Sequence, residues 1–503
     1  MFLRKKKNKS GVISVQVIDK SSGKYRLAKT IGSSANLKEV EGLMREGEVW
    51  IKNKQGQLEI DFNDEKVIFS QFMDNIQQVD VSGTFLLLGR IFDEIGFNAI
   101  KEELFRNIVI ARLCFPVSKL KSTDYFKKYH SLHIDENKIY RYLDKLYRCQ
   151  KEQIQNISYQ HTLKILNNVI SAVFYDVTTL YFEIDDEDEL RKTGFSKEGK
   201  HQHPQIVLGL LVSTNGYPLA YEIFEGNKFE GHTMLPVIEE FKKKFEVGKL
   251  VVIADSGLLS AQNIQELLDK GYEFILGARI KTEPAIVKNK ILSLNLSNGQ
   301  SAMIDKGTEL KLVINYSEAR AKKDKANRDK GIKKLEKQIQ LGKLTKSHIN
   351  NKGYNKFLKL EGEIKVSLNK SKLKTEAAWD GLKGYVTNTT LTSEEVIANY
   401  GELWKIEKAF RIAKTDLEIR PIYHRLRERI EAHICIAFAA YKVYKELERQ
   451  LKEKHTNLSP EKAIEIAKTI YSIKVEAPIS KEVISKTLLL TEEHKKLAEL
   501  FDF

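Results

Sequence analysis

The stretch that decides the fold is residues 168–184, NVISAVFYDVTTLYFEI. Its run of apolar and β-branched residues predicts a strand buried on both faces. Asp176 interrupts that run near its middle, where an ionised carboxylate is costly unless it is paired or binds a cation. Working outward, PQIVLGLLVSTNGYPLAYEIFEG (204–226) reads as a hairpin turning at Asn215-Gly216. A helix is expected from about His232 to Phe245. KLVVIADSGLLS (249–260) is a buried strand running into a turn at Asp255, Ser256 and Gly257. SAQNIQELLDKG (260–271) is a helix ended by Gly271, and YEFILGARI (272–280) is one more strand.

Three antiparallel strands, then helix, strand, helix, strand, describe an RNase H-like sheet. In that order the first and fourth strands lie side by side, so Asp176 and Asp255 are expected to meet at its centre. Each aspartate also has a bland reading, as a turn or cap residue. Two adjoining carboxylates need a divalent cation to offset their repulsion. Hard oxygen ligands without a Cys/His cluster favour two Mg²⁺ ions, with Mn²⁺ as a substitute.

A third carboxylate is expected from a helix beside the sheet. Thr392, with Glu395 three residues on, opens a long helix through about Leu417. Within YGELWKIEKAFRIAK (400–414), Glu407 lies among Leu403, Ile406 and Phe410, which mark the buried side. The alternative is a surface glutamate paired with Arg411.

These segments resemble the DDE transposases of bacterial insertion sequences, in the group named after insertion sequence four. That group's signature runs Tyr, two residues, Arg, three residues, Glu, six residues, Lys. Tyr400, Glu407 and Lys414 stand at those places, with Leu403 where the group has Arg. FYDVTTLYFE around Asp176 and VIADSGLLS around Asp255 match the other two motifs. The resemblance implies that Asp176, Asp255 and Glu407 are catalytic and hold the metal ions. It implies further that Tyr400 and Lys414 bind transposon-end phosphates, with Lys405 or Arg411 supplying the charge missing at Leu403. Trp404 would stack on an unpaired base or pack in the core. Its reaction would be cleavage of transposon-end double-stranded DNA and joining of the 3′-hydroxyl to target DNA, by a homodimer on the DNA. The rivals are a metal-dependent nuclease or resolvase on the same core, and a decayed transposase that only binds DNA.

The rest of the chain is divided accordingly. Residues 1–75 read as a β-rich module with strands VISVQVID, GEVWIKN and QLEIDF, and 76–165 as a helical, candidate DNA-binding block. The RNase H-like core spans 166–281 and 385–445, split by a β-rich basic insertion at 282–384. A second long helix is expected at about 425–453, and 446–503 forms a helical C-terminal tail. From Arg320 to Lys374 there are 18 Lys or Arg against five acids, either a solvated loop or a phosphate-binding surface. The acidic run EIDDEDEL (183–190) reads as a solvated loop. His201 and His203 fall on one face of a strand near the active site. Arg420, His424, Arg425, Arg427 and Arg429 extend a basic path. The net charge of +15 suits a polyanion, nucleic acid or an acidic membrane surface. Three scattered cysteines, no signal peptide and no apolar run of about 18 residues predict a soluble protein of the bacterial cytoplasm, associated with the nucleoid.

Overall fold

The structure, a computed structural model, describes residues 1–503 apart from 10, 22, 56–64, 197–198, 246, 308, 351, 362–364 and 478–479. It divides into two compact units, Met1–Val79 with Ser472–Leu488, and Asp80–Tyr471 with Leu489–Phe503.

In the first unit, β1 (Phe2–Lys7), β2 (Ile13–Asp19) and β3 (Arg26–Ser34) form an antiparallel sheet covered by helix α1 (Leu37–Lys54). GEVWIKN is therefore helical and not a strand. Asn36 caps α1 by accepting from the Lys38 amide at 3.0 Å, and the helix formers of 38–46 carry the turn through the β-prone Val-Trp-Ile. At Gly47 a Cβ would sit 2.3 Å from Leu3, so the helix lies close on the sheet there. QLEIDF lies outside the described residues. Helix α2 (Glu65–Asp74) leads to β4 (Ile76–Val81).

The second unit begins with helices α3 (Gly83–Ile95), α4 (Glu103–Cys114), α5 (Lys119–His130), α6 (Glu136–Lys145) and α7 (Lys151–Ile165). There follow β5 (Ala172–Tyr181), β6 (Gln205–Ser213), β7 (Pro218–Glu225), α8 (Met234–Phe245), β8 (Val251–Ala254), α9 (Ala261–Asp269) and β9 (Glu273–Ala278). Next come α10 (Ala285–Leu292), β10 (Ser301–Asp305), β11 (Lys311–Tyr316), α11 (Glu318–Gln340), β12 (Leu358–Glu361), β13 (Lys365–Leu368) and α12 (Lys370–Ala377). The chain returns through β14 (Leu382–Thr387), α13 (Ser393–Gly401), α14 (Trp404–Thr415) and α15 (Arg427–Glu453). It ends with α16 (Pro460–Ala467), β15 (Tyr471–Glu476), β16 (Val483–Leu488) and α17 (Glu492–Phe501). The tail after 446 is thus not wholly helical, since β15 pairs with β16 and β4. The alternating Tyr-Ser-Ile-Lys-Val-Glu of β15 is a strand pattern that helical neighbours obscured.

One mixed sheet organises the second unit, in the order β10-β11-β14-β9-β8-β5-β6-β7. β5 pairs antiparallel with β6 and parallel with β8, and β8 pairs parallel with β9. Both faces are covered, which is why β6 is buried along its whole length. On one face Phe174, Leu180, Leu208 and Leu210 share a core with α3, α4 and α15. On the other, Val173, Tyr175, Val252 and Phe274 pack against Ile238 and Phe241 of α8 and Leu267 of α9. The apolar faces of helices α3 to α7 share the first of these cores and pack around α15.

The 282–384 stretch also differs from expectation. β10 and β11 lengthen the central sheet by pairing onto β14, which covers an edge that would otherwise stay open. The remainder, α11 with the β12–β13 hairpin, has its own small core of Leu335, Phe357, Leu358 and Val366. The first part of the basic run, to Gln340, lies in a 23-residue helix started by the Ser317 cap, and the rest passes through the β12–β13 hairpin into α12.

Candidate active site

The register of β5 against β8 pairs Tyr175 with Ala254. That is the last rung of the ladder: Asp176 is the next residue of β5, and Asp255 the first residue after β8. Tyr175 is buried in the core on one face of the sheet, so the alternation of the pleat turns Asp176 to the opposite face. β8 ends at Ala254, and the turn that follows is held by Asp255 itself, whose Oδ1 accepts from the Gly257 amide at 2.8 Å. Asp176 Oδ1 accepts from the amide of Val177 at 2.7 Å. Arg279, at the end of β9, donates to the carbonyls of Ser256 (2.9 Å) and Gly257 (3.3 Å) and so braces the same turn.

The segment carrying Glu407 is two helices, not one. Thr392 and Glu395 form the full capping box that opens α13. α13 then ends at Gly401, a poor helix former, and α14 restarts at Trp404 after Glu402 and Leu403. Leu403 is buried, with 7% of its surface exposed. The buried ridge of α14 is Ile406, Ala409, Phe410 and Ile412. Glu407 lies beside this ridge and is exposed, contrary to its expected place on the buried side. The restart of the helix at Trp404 sets that ridge, and Glu407 falls just off it. Trp404, Glu407, Arg411 and Lys414 share one side of α14 by spacing.

What ties the elements together is Tyr400, near the end of α13. Only 8% exposed, it packs against Tyr385 of β14 with ring centroids 4.7 Å apart. At Gly277 of β9 an added Cβ would meet the Tyr400 hydroxyl at 2.5 Å and the Ser256 amide nitrogen at 3.0 Å. Burial pushes this hydroxyl above the ordinary phenol range, and the negative charges of Asp255, Glu407 and Asp176 push it further. Lys383 completes the group: its ammonium lies 4.5 Å from the Tyr400 ring centroid and 5.3 Å from that of Tyr385. Burial and Arg320 lower the Lys383 pKa, while Glu407 opposes the shift.

The donor set suits a hard divalent cation, since it offers carboxylate oxygens and no thiol. Among the described residues, however, no three His, Cys, Asp or Glu side chains stand close enough together to enclose a metal ion. Glu407 is exposed on α14 and lies off its buried ridge.

The other predicted residues take varied positions. Trp404 is 50% exposed, so it is not a core residue. Lys405 donates to the Thr214 carbonyl at 2.6 Å and pairs with Glu402, which turns its charge to the β6–β7 hairpin. Arg411 is exposed and Lys414 is partly buried. His201 and His203 lie in the turn before β6, not on a strand; His201 Nδ1 accepts from the Ser196 amide at 3.2 Å. Asp188 and Glu187 of the acidic run hold Arg191 and Thr193. Arg429 is committed to Asp144, and Arg427 to Glu431. Sequence reading overlooked Lys383 and Arg279, and counted Arg320 only as part of the basic run. The first two stand at the ends of strands that converge on the aspartates, the one signal that could have found them.

A family model described as the transposase DDE domain matches residues 168–442. No curated protein matches the chain. Among solved structures, the piggyBac transposase synaptic complex with hairpin DNA is similar at a TM-score of 0.39 and 10% identity, over 79% of this chain and 80% of that one.

Proposed function

The chain belongs to the DDE transposase family, and from that membership we propose that it binds transposon-end double-stranded DNA, cleaves it and joins the freed 3′-hydroxyl to target DNA. Asp176, Asp255 and Glu407 are the catalytic carboxylates in this reading and would hold two Mg²⁺ ions, for which Mn²⁺ can substitute. The observation that carries it is the match of residues 168–442 to the transposase DDE domain, with Asp176 on β5 and Asp255 directly after the β8 strand paired to it. The run of antiparallel β5, β6 and β7 followed by parallel β8 and β9 supports an RNase H-like core. When bound, divalent ions supply Lewis-acid activation of the attacking oxygen and offset charge on the departing 3′-oxygen.

The chain's own residues do the positioning. Arg279 fixes the turn that aims Asp255. Tyr400, kept protonated, is a hydrogen-bond donor beside the carboxylates, and Lys383 brings a cation to the same place. Trp404 and Lys414, on the same side of α14 as Glu407, are suited to stack on a base and to hold a backbone phosphate.

The test is replacement of each acid by its amide, Asp176→Asn, Asp255→Asn and Glu407→Gln, with terminal-repeat duplex as substrate. Cleavage should be lost while duplex binding persists. An amide variant that cleaves at the wild-type rate removes that residue from the site. Cleavage without joining, in the unaltered protein, would make the enzyme a nuclease and not a transposase.

A further inference from the structure

Away from the carboxylates, a cleft of about 520 Å³ opens between the end of α4, the start of α5, the 418–424 link and α15. Its lining carries four basic side chains, Arg112, Lys119, Lys121 and Arg420, and the imidazoles of His424 and His433, against one acid among the described lining residues, Glu418. Arg112 and Lys119 are only 5% and 4% exposed. Buried cations of this kind are normally paired with carboxylates. Here Arg112 donates one long hydrogen bond, to the Leu417 carbonyl at 3.4 Å, and Glu418, itself exposed, reaches it only as a more distant charge. Lys119 makes no hydrogen bond or ion pair among the described residues.

The placement of Lys119 is disfavoured in three ways at once. It is buried, it is close enough to Arg112 to be repelled, and it occupies the first turn of α5, where the helix dipole is already positive. On the facing side, His433 Nε2 bonds the Ile419 carbonyl at 3.0 Å while its buried Nδ1 has no partner. The His424 ring stands 5.5 Å from that of His433. Burial, then Lys119 and Arg112, draws His424 down to about 3. Every one of these penalties would be relieved by a single anion in the cleft.

We propose that this cleft is an oxyanion pocket that binds a phosphate group between Arg112, Lys119 and His424. Its geometry suits phosphate: a guanidinium, an ammonium, an imidazole and the positive end of a helix all open on one space. The phosphate comes either from a DNA backbone, which rests on the function proposed above, or from a free phosphate, which does not.

The experiment uses the full chain and Lys119→Met, whose apolar stem fills similar space. In phosphate-free buffer the variant should melt at or above the wild-type temperature, because it removes a buried charge that has no partner. Inorganic phosphate, titrated by calorimetry and thermal melting, should bind and stabilise the wild type, and bind Lys119→Met at least about tenfold more weakly. His424→Gln, on another wall, should also weaken phosphate binding. Duplex binding across a salt series then separates the sources. If DNA fills the pocket, phosphate competes with duplex and Lys119→Met lowers the salt slope by about 0.9. If a free phosphate fills it, the slope is unchanged while phosphate still stabilises the wild type. Phosphate responses equal in wild type and Lys119→Met, or absent from both with an unchanged slope, would overturn the pocket. None of these readouts depends on DNA cleavage, so loss of the transposase reading leaves the phosphate titration interpretable.

Discussion

The hydroxyl of Tyr400 is a sensitive point of the candidate active site, because burial and three nearby carboxylates all keep it protonated. A protonated phenol there can donate to a phosphate or carboxylate oxygen. Tyr400→Phe should preserve the packing against Tyr385 and Lys383 but remove that donor. Single-turnover cleavage at saturating protein should fall by about 10- to 100-fold, the worth of a hydrogen bond to a charged group, with duplex affinity nearly unchanged. Equal cleavage would leave Tyr400 a packing residue. Gly277 offers a second approach to the same atom. The Cβ of Gly277→Ala would press on the Tyr400 hydroxyl at 2.5 Å, and backbone at Ser256 limits any retreat. The variant should lose about 1–3 kcal/mol of stability by overpacking, measured by denaturant melts, and Tyr400→Phe in the same chain should recover part of it. Absence of any recovery would mean that the strain is borne by the Ser256 backbone alone.

At the scale of elements, α14 is held to α15 by an ionic clamp one residue from Glu407. Lys408 of α14 and Lys445 of α15 both bond Glu448, whose side chain is nearly buried. Burial alone would raise the Glu448 pKa, but the two lysines outweigh it and hold it at about 2. The folded pKa is depressed, so the stabilisation is complete above the unfolded carboxylate value of about 4.3 and is lost as pH falls toward 2. Glu448→Gln should cost about 3 kcal/mol at neutral pH, because it leaves two lysines uncompensated. Its melting temperature should change less than that of the wild type between pH 5 and pH 3; parallel curves would show the clamp to be energetically silent. The helix α11 makes a different prediction. Lys322 and Arg328 are paired with Glu318 and Asp380, whereas Lys323, Lys325, Lys330, Lys333 and Lys334 are exposed along it. Changing those five to Gln should reduce the salt slope of duplex binding by about 0.9 for each phosphate they touch, with cleavage of bound DNA retained. An unchanged slope would make α11 a solvated strut and not a DNA-facing arm.

For the whole molecule, the net charge of +15 predicts DNA binding dominated by counterion release. Affinity for a duplex of unrelated sequence should fall by about 10³-fold or more between 50 and 200 mM salt if six or more phosphates are engaged; a flat dependence would remove the charge from the argument. No described helix is long and apolar enough to cross a membrane. The sequence by itself determined those elements whose own residues carry the signal. Strands 168–184, 204–226 and 249–260 are apolar enough to be buried whatever surrounds them, and Thr392 with Glu395 starts a helix locally. Their order was sufficient to place β5, which carries Asp176, beside β8, which leads into Asp255. Tertiary structure decided what depends on distant partners. The β-prone stretch 47–53 became helix because a sheet lies beneath it, and β10 and β11 joined the main sheet because β14 offered an edge. Glu407 is exposed because Gly401 breaks the helix and resets its face. Lys383, Arg320 and the cluster of Arg112, Lys119, His424 and His433 come from segments far apart in the chain, and no local period records which of them will meet.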